Sequence, residues 1–350
     1  MNFALDDDQQ LIVETVRRFA ERDLRGWAAD ADRAGAAPDR LAALGGDLGF
    51  FSDAVPADAG GTLEGAFSHA TRALRGFELG RGCPALAALL ETNVEPALAV
   101  GRWGSAAAKQ ALFASLSAGG LAAFAHDSRG TLALDGDRAT GKIGPVPALA
   151  RATHVVVATR EALLFAPTAG LERTAMTPSG WRAGAWATAA FAGTQVEILS
   201  RDPAAIAEVL AWARVSLAAR AAGVATAAME YAEAYGKERV QFGQPIGTFE
   251  SLIRLRDDAQ TAAHAAKLVA FHAAWAIDRG LPNAADLASR ARVVAGDAVA
   301  RATIDAVQIF GGYGFVNDYP VEKLMRDARA FEALHGDERL GRVLAQKAVQ

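Results

Sequence analysis

The tightest constraint on this chain is the spacing of small and apolar residues after Ser200. Ile206, Leu210, Ala213, Leu217, Ala221 and Val224 fall on one face of a helix, opened by Asp202 as cap and Pro203 at the first helical position. Leu252, Leu255, Ala259, Ala262, Ala266, Val269, Ala273 and Ile277 form a second stripe, with Thr248 expected as its cap. Spacings alternating between three and four predict a nearly straight seam against a partner helix. The first helix should end near Gly236 and the second at Arg279-Gly280-Leu281-Pro282-Asn283. A third should run from about Ala284 to Phe310, a shorter one should follow Pro320, and another should begin near Asp337. Residues 201–350 are thus expected to be a C-terminal four-helix-bundle-type domain.

The rest of the chain divides in two. Residues 1–115 read as an N-terminal helical domain. Asp6 to Asp8 is a start signal, and Leu11, Val13, Val16, Phe19 and Ala20 give an apolar stripe. Residues 116–200 change character after Gly119-Gly120. Short β-branched or alternating runs at Leu121–Phe124, Thr131–Leu134, His154–Ala158, Ala162–Phe165 and Gln195–Leu199 predict a small, mostly antiparallel, reduced β-domain. Residues 166–193 are poorly patterned. The expectation is a mainly α protein with a small β-domain in its middle.

Composition narrows the function. The 350 residues carry a formal net charge of −4, with both signs interspersed, so no basic face points to nucleic acid. The single cysteine, Cys83, rules out an intrachain disulfide, fits a cytoplasmic location, and is expected to be a buried, inert thiol. The acidic start lacks the apolar core of a signal peptide, and no apolar run reaches membrane-spanning length. There is no Gly-x-Gly-x-x-Gly after a strand, no P-loop, no metal-ligand cluster and no nucleophile elbow. His264 and His272 lie two turns apart without a third ligand, so solvation or packing accounts for them.

Two loops in the last third carry the chemistry. The first contains Arg239, Phe242-Gly243 and Pro245-Ile246. The second runs Ala306-Val307-Gln308-Ile309-Phe310-Gly311-Gly312-Tyr313-Gly314 and continues as Tyr319-Pro320-Val321-Glu322-Lys323-Leu324-Met325-Arg326-Asp327-Ala328. Together they resemble the acyl-CoA dehydrogenase family, strongly after Ser200 and weakly before it. The resemblance implies an FAD flavoprotein that removes two hydrogens from the Cα–Cβ bond of an acyl-CoA thioester, with the flavin at a subunit interface. It implies that Arg239, Phe242, Gln308, Gly311 and Gly312 meet the adenosine and diphosphate half of an FAD held by a neighbour. The residue types suit that role. Arg offers a forked cation to diphosphate, Gly lets backbone approach a cofactor, and Gln bonds a carbonyl, amide or hydroxyl. Arg214 is expected to face a CoA nucleotide or to make an interhelical ion pair.

The departures from the family pattern matter as much. The family's catalytic Glu position holds His335, in Leu334-His335-Gly336-Asp337, and the alternative position on the first bundle helix holds Ala213. His335 and Asp337 are therefore the candidate bases. The flavin-binding Thr-Glu-Pro region is Phe124-Ala125-His126-Asp127-Ser128-Arg129-Gly130, and the aromatic-Ile-Thr that packs on the flavin becomes Ile143-Gly144-Pro145-Val146. The family's Gln after the first loop is Glu250. This pattern is similar to the short, degenerate subunit of α2β2 heterotetrameric acyl-CoA dehydrogenases. Three readings follow: an obligate subunit that completes a longer partner's flavin site, a self-sufficient homo-oligomer with a non-standard base, or a flavin-free scaffold of the same fold.

Overall fold

The computed structural model describes residues 4–335. The helix expected near Asp337 lies outside them. Seven helices come first: α1 (Asp7–Phe19), α2 (Arg25–Ala34), α3 (Arg40–Asp47), α4 (His69–Gly82), α5 (Pro84–Leu90), α6 (Val94–Trp103) and α7 (Ala106–Ser117). Asp6 caps α1 through a capping box with Gln9. Val13, Val16 and Phe19 of the predicted stripe are buried; Leu11 is exposed.

Eight strands follow: β1 (Ala122–His126), β2 (Leu132–Asp135), β3 (Arg138–Val146), β4 (His154–Ala158), β5 (Leu163–Pro167), β6 (Glu172–Ala175), β7 (Ala187–Gln195) and β8 (Glu197–Ser200). They form two four-stranded sheets, ordered β1-β4-β5-β8 and β2-β3-β7-β6. All pairings are antiparallel except β1 with β4. The second sheet brings in β3, which the sequence reading does not pick out as a strand, and β6 and β7, which fall largely in the poorly patterned residues 166–193. The Ala-rich β7 has little strand preference of its own. Its inward residues Ala187, Ala189 and Phe191 become buried only against the other strands.

The chain then forms α8 (Pro203–Glu238), a hairpin of β9 (Val240–Gln241) and β10 (Gln244–Pro245), α9 (Glu250–Asp278), α10 (Ala284–Phe310), a 3₁₀ turn (Gly311–Phe315) and α11 (Pro320–Glu332). Asp202 and Pro203 open α8 as expected. Thr248 does not cap α9. Its hydroxyl donates to the Pro245 carbonyl, and Phe249 occupies the cap position. No helix among the described residues is long and apolar enough to cross a membrane.

The N-terminal helices join the bundle where α4 crosses α8 in backbone contact. A Cβ on Gly80 would lie 2.4 Å from the Arg220 carbonyl oxygen, and one on Gly223 would lie 2.1 Å from that of Phe77. Beside this crossing, Arg72, Arg75 and Arg220 surround the buried Glu91, while Arg72 also pairs with Glu95 at 2.7 Å. The β-domain joins through α11. The buried Asp327 accepts from the Trp181 backbone N–H at 2.7 Å and from Lys323 Nζ at 2.5 Å. Arg326 donates to Asp32 at 2.7 Å, Glu322 at 2.8 Å and the Ser179 carbonyl at 2.6 Å. Gly180 fits this joint because a Cβ there would meet the Arg326 carbonyl oxygen at 2.1 Å.

Two predictions follow from this packing. Asp327→Ala leaves the Lys323 ammonium buried without its carboxylate and should cost about 3–5 kcal/mol. Gly180→Ala should cost about 1–3 kcal/mol through overpacking. Calorimetric melting of both variants checks this, and an unchanged midpoint for Asp327→Ala would contradict it. His69 supplies the second. Its ring is buried, stacks on Trp212 at 5.4 Å and meets Phe67 edge-on at 5.1 Å. Burial, then the nearby Arg72, lower its pKa from 6.5 to about 3. The unfolded chain therefore binds this proton first, so stability is full above about pH 6.5 and falls as pH drops toward 3, by about 1.4 kcal/mol per pH unit. His69→Phe should flatten the denaturant midpoint between pH 4 and 6 (roughly the centre of that window). Equal slopes for variant and wild type would remove His69 as a cause.

Candidate functional site

The two sequence-predicted loops meet at one end of the bundle. An aromatic cluster holds them together. Tyr235 of α8 stacks on Phe310 of α10 at 4.1 Å, and Tyr319 packs edge-on against Tyr235, Phe310 and Tyr313. The Arg239 guanidinium then lies over the Tyr313 ring, 5.4 Å from its centroid. Among the described residues it has no carboxylate partner, and the side chain is half-buried. Sequence reasoning missed Tyr235 and Tyr319 as organisers, because their pairing joins three separate elements.

The β9–β10 hairpin projects Phe242. Phe242 and Gly243 both have positive φ, 52° and 80°, which makes a two-residue primed turn. A bulky residue in that region is strained, and the Phe242 ring is 93 % exposed. Phe315 is 74 % exposed and Tyr313 45 % on the neighbouring loop. Gln308 lies on the exposed side of α10. Gly311 and Gly312 are exposed too, but for different reasons. Gly311 has φ 60° and ψ −134°, a conformation that disfavours any side chain. Gly312 has no such constraint, and a Cβ there would meet nothing within 4 Å. Of these two, Gly312 is thus the glycine that the isolated chain does not itself require.

A second group gathers around His335. Arg292 donates to the carbonyls of Phe331 and Leu334, fixing the end of α11. Arg214 Nε donates to the His335 carbonyl at 3.4 Å, and its Nη1 donates to Ser289 Oγ at 3.2 Å. The His335 ring packs on Phe124 at 5.4 Å. Burial, then His126, Arg220, Arg292 and Arg214, push the His335 imidazole well below its ordinary range. Burial, with Arg214, lowers His126 to about 4. Both rings are therefore neutral at pH 7. Arg214, expected to face a nucleotide or pair with a carboxylate, instead bonds the His335 backbone and a serine. Its pKa falls to about 10 through burial. Ala213 is buried beside it. Asp337 lies outside the described residues. Cys83 is buried as expected, and no His, Cys, Asp or Glu group among the described residues is arranged for a metal ion.

The residues fit one half of a flavin dinucleotide. Arg239, Gln308 and the open backbone at Gly312 suit a diphosphate and its sugars. The β-domain side does not offer the ring half its usual wall. Along β3, Ile143-Gly144-Pro145-Val146 supplies no aromatic ring, Pro145 has no N–H, and a Cβ on Gly144 would sit 2.9 Å from the Ala187 carbonyl.

The N-terminal domain of the acyl-CoA dehydrogenases matches residues 6–120, and their C-terminal domain matches residues 204–349. An acyl-CoA dehydrogenase of Bacillus subtilis is 44% identical over 134 residues, 38% of this chain and 35% of that protein. A short-chain-specific acyl-CoA dehydrogenase of Clostridium acetobutylicum is 42% identical over 123 residues, 35% of this chain and 32% of that protein. These alignments span only about a third of the relatives' own length. The butyryl-CoA dehydrogenase structure from Megasphaera elsdenii superposes with a TM-score of 0.87 at 25% identity, covering 100% of both chains. With both terminal domains matched and the whole fold shared, this chain belongs to the acyl-CoA dehydrogenase family.

Proposed function

We propose that the chain is a subunit of an FAD-dependent acyl-CoA dehydrogenase and completes the flavin site of a partner chain. The observation that carries this reading is an imbalance. Along the rim, Phe242, Gln308 and Gly312 are exposed beside a half-buried Arg239, whereas the base position holds a half-buried His335 whose imidazole is pushed well below its ordinary range. FAD, when bound, supplies the two-electron acceptor for oxidation of the thioester's Cα–Cβ bond. This chain's residues bind and orient. Arg239 offers parallel N–H donors to diphosphate, Gln308 offers an amide to a sugar or phosphate oxygen, and Gly312 lets backbone approach closely. His335, lowered by burial among Arg214, Arg220 and Arg292, is a weak proton acceptor at neutral pH. Proton removal from the α-carbon then falls to a carboxylate of the partner, a longer family member carrying the usual Glu and Thr-Glu-Pro. The acyl-CoA thioester is the substrate, and the location is cytoplasmic.

A self-sufficient homo-oligomer is the second reading. It is favoured by the match over 100% of both chains to the Megasphaera elsdenii enzyme. In it, a copy of this chain would replace the longer partner, and His335 or Asp337 would serve as base.

Mutations on the rim should act in trans on flavin held by the other chain. Arg239→Ala should lower FAD affinity of the copurified complex by about one to two orders of magnitude, from loss of a charge-assisted bond of roughly 1.5–3 kcal/mol. Gln308→Ala should be milder. Gly312→Val is the cleaner steric probe, because Gly311→Val would strain the backbone whether or not a cofactor binds. Its melting point in the flavin-free chain should stay unchanged while FAD affinity falls. Equilibrium flavin titration and melting of each variant check this. Full FAD affinity in Arg239→Ala would remove the rim as a cofactor contact and favour the flavin-free scaffold. Turnover by the pure chain that His335→Ala abolishes would establish the homo-oligomer.

A further inference from the structure

Several arginines of this chain give their N–H donors to carboxylates. Arg25 bonds Glu230, Arg81 bonds Glu230 and Glu78, and Arg326 bonds Asp32 and Glu322. Arg239 is held differently. Its backbone is fixed, since its N–H donates to the Tyr235 carbonyl at 2.9 Å and its own carbonyl accepts from the Ile246 N–H at 2.8 Å. Its guanidinium meets the face of the Tyr313 ring, 5.4 Å from the centroid, and among the described residues it has no carboxylate partner. A ring face attracts a guanidinium without neutralising it. Unlike a carboxylate, it leaves the charge and the N–H donors available to another group.

Tyr313 is itself braced. It packs edge-on against Tyr319 at 5.7 Å, and Tyr319 packs edge-on against Tyr235 and Phe310, which stack on each other at 4.1 Å. The turn that carries Tyr313 lies tight against α10, because a Cβ on Gly314 would sit 2.5 Å from the Val307 carbonyl oxygen. A long side chain loses rotamer freedom when it binds, and ordering it beforehand reduces that loss. We propose that Tyr313 is a positioning residue: its ring holds the Arg239 guanidinium in place and leaves its donors for a diphosphate. The role rests on the flavin contact proposed for the rim, whereas the stacking does not.

The test pairs flavin titration of the copurified complex with spectroscopy of the flavin-free full chain. Tyr313→Leu removes the ring and should weaken FAD by about threefold to tenfold, the usual worth of a cation–π contact. Tyr313→Phe keeps the ring face and should bind as the wild type does. In an Arg239→Ala background, Tyr313→Leu should weaken FAD no further, because the ring acts through the arginine. In nuclear magnetic resonance spectra of the flavin-free chain, the Arg239 side-chain N–H signal, assigned by its loss in Arg239→Ala, should carry an upfield ring-current shift. Tyr313→Phe should keep that shift and Tyr313→Leu should lose it. Tyr313 is 45 % exposed, so both variants should melt close to the wild type. Wild-type FAD affinity in Tyr313→Leu while Arg239→Ala weakens binding, an equal loss in both backgrounds, or an Arg239 signal indifferent to Tyr313→Leu would each overturn the positioning role. Wild-type affinity in Arg239→Ala would instead overturn the flavin contact of the rim, and the positioning role with it.

Discussion

A fully buried carboxylate stands where the three parts of this chain meet. Asp327 takes the Trp181 N–H from the β-domain side and the Lys323 ammonium from its own helix, and Lys323 in turn lies 3.8 Å from Cys83 of the N-terminal helices. A buried pair of this kind adds little net stability over apolar packing, yet losing one partner is costly. Its value here is geometric. It helps set the depth and rotation of α11 against both other parts, and Gly180 leaves room for the Arg326 backbone, whose carbonyl oxygen would lie 2.1 Å from a Cβ there. The familiar Lys-x-x-Arg-Asp stretch of the sequence is, in this structure, a domain joint.

Everything near the two sites follows from that joint and from the α4–α8 crossing. The end of α11 places His335 against Phe124, and Arg292 and Arg214 hold the carbonyls around it. At the other end of the same helix, Tyr319 closes the aromatic cluster that brings Tyr313 under Arg239. One helix thus positions both the built rim and the altered base position. The electrostatics of the two differ. Arg239 is a half-buried cation without a carboxylate partner among the described residues, whereas near His335 burial first, and then the buried arginines, oppose protonation of the histidines. A base surrounded in this way loses the property that would make it useful.

The bundle was largely legible in the sequence, because caps, prolines and three-four spacing are local signals. Asp202-Pro203, the stop after Phe310 and the start at Pro320 all stand where those signals place them. Thr248 misled because a hydroxyl near a helix start can bond a turn instead of the helix. Half of the β-domain was not legible. β7 is Ala-rich and owes its conformation to β3 and β6 on either side. Of the candidate site, Arg239 and the two glycines came from resemblance, and the structure separates them. Gly311 is explained by its own backbone and Gly312 is not. A cavity beside His335 joins residues more than 200 positions apart in the chain, His126 and His335 among them, and no local pattern announces it.

The central claim is that this chain presents a rim for flavin without holding a complete flavin site of its own. Titrating FAD into the purified chain alone, followed by flavin fluorescence, addresses it directly. The account predicts no tight binding alone, and tight binding once a longer family member with an intact Thr-Glu-Pro and catalytic Glu is added. One tightly bound FAD per chain in the absence of any partner would contradict it.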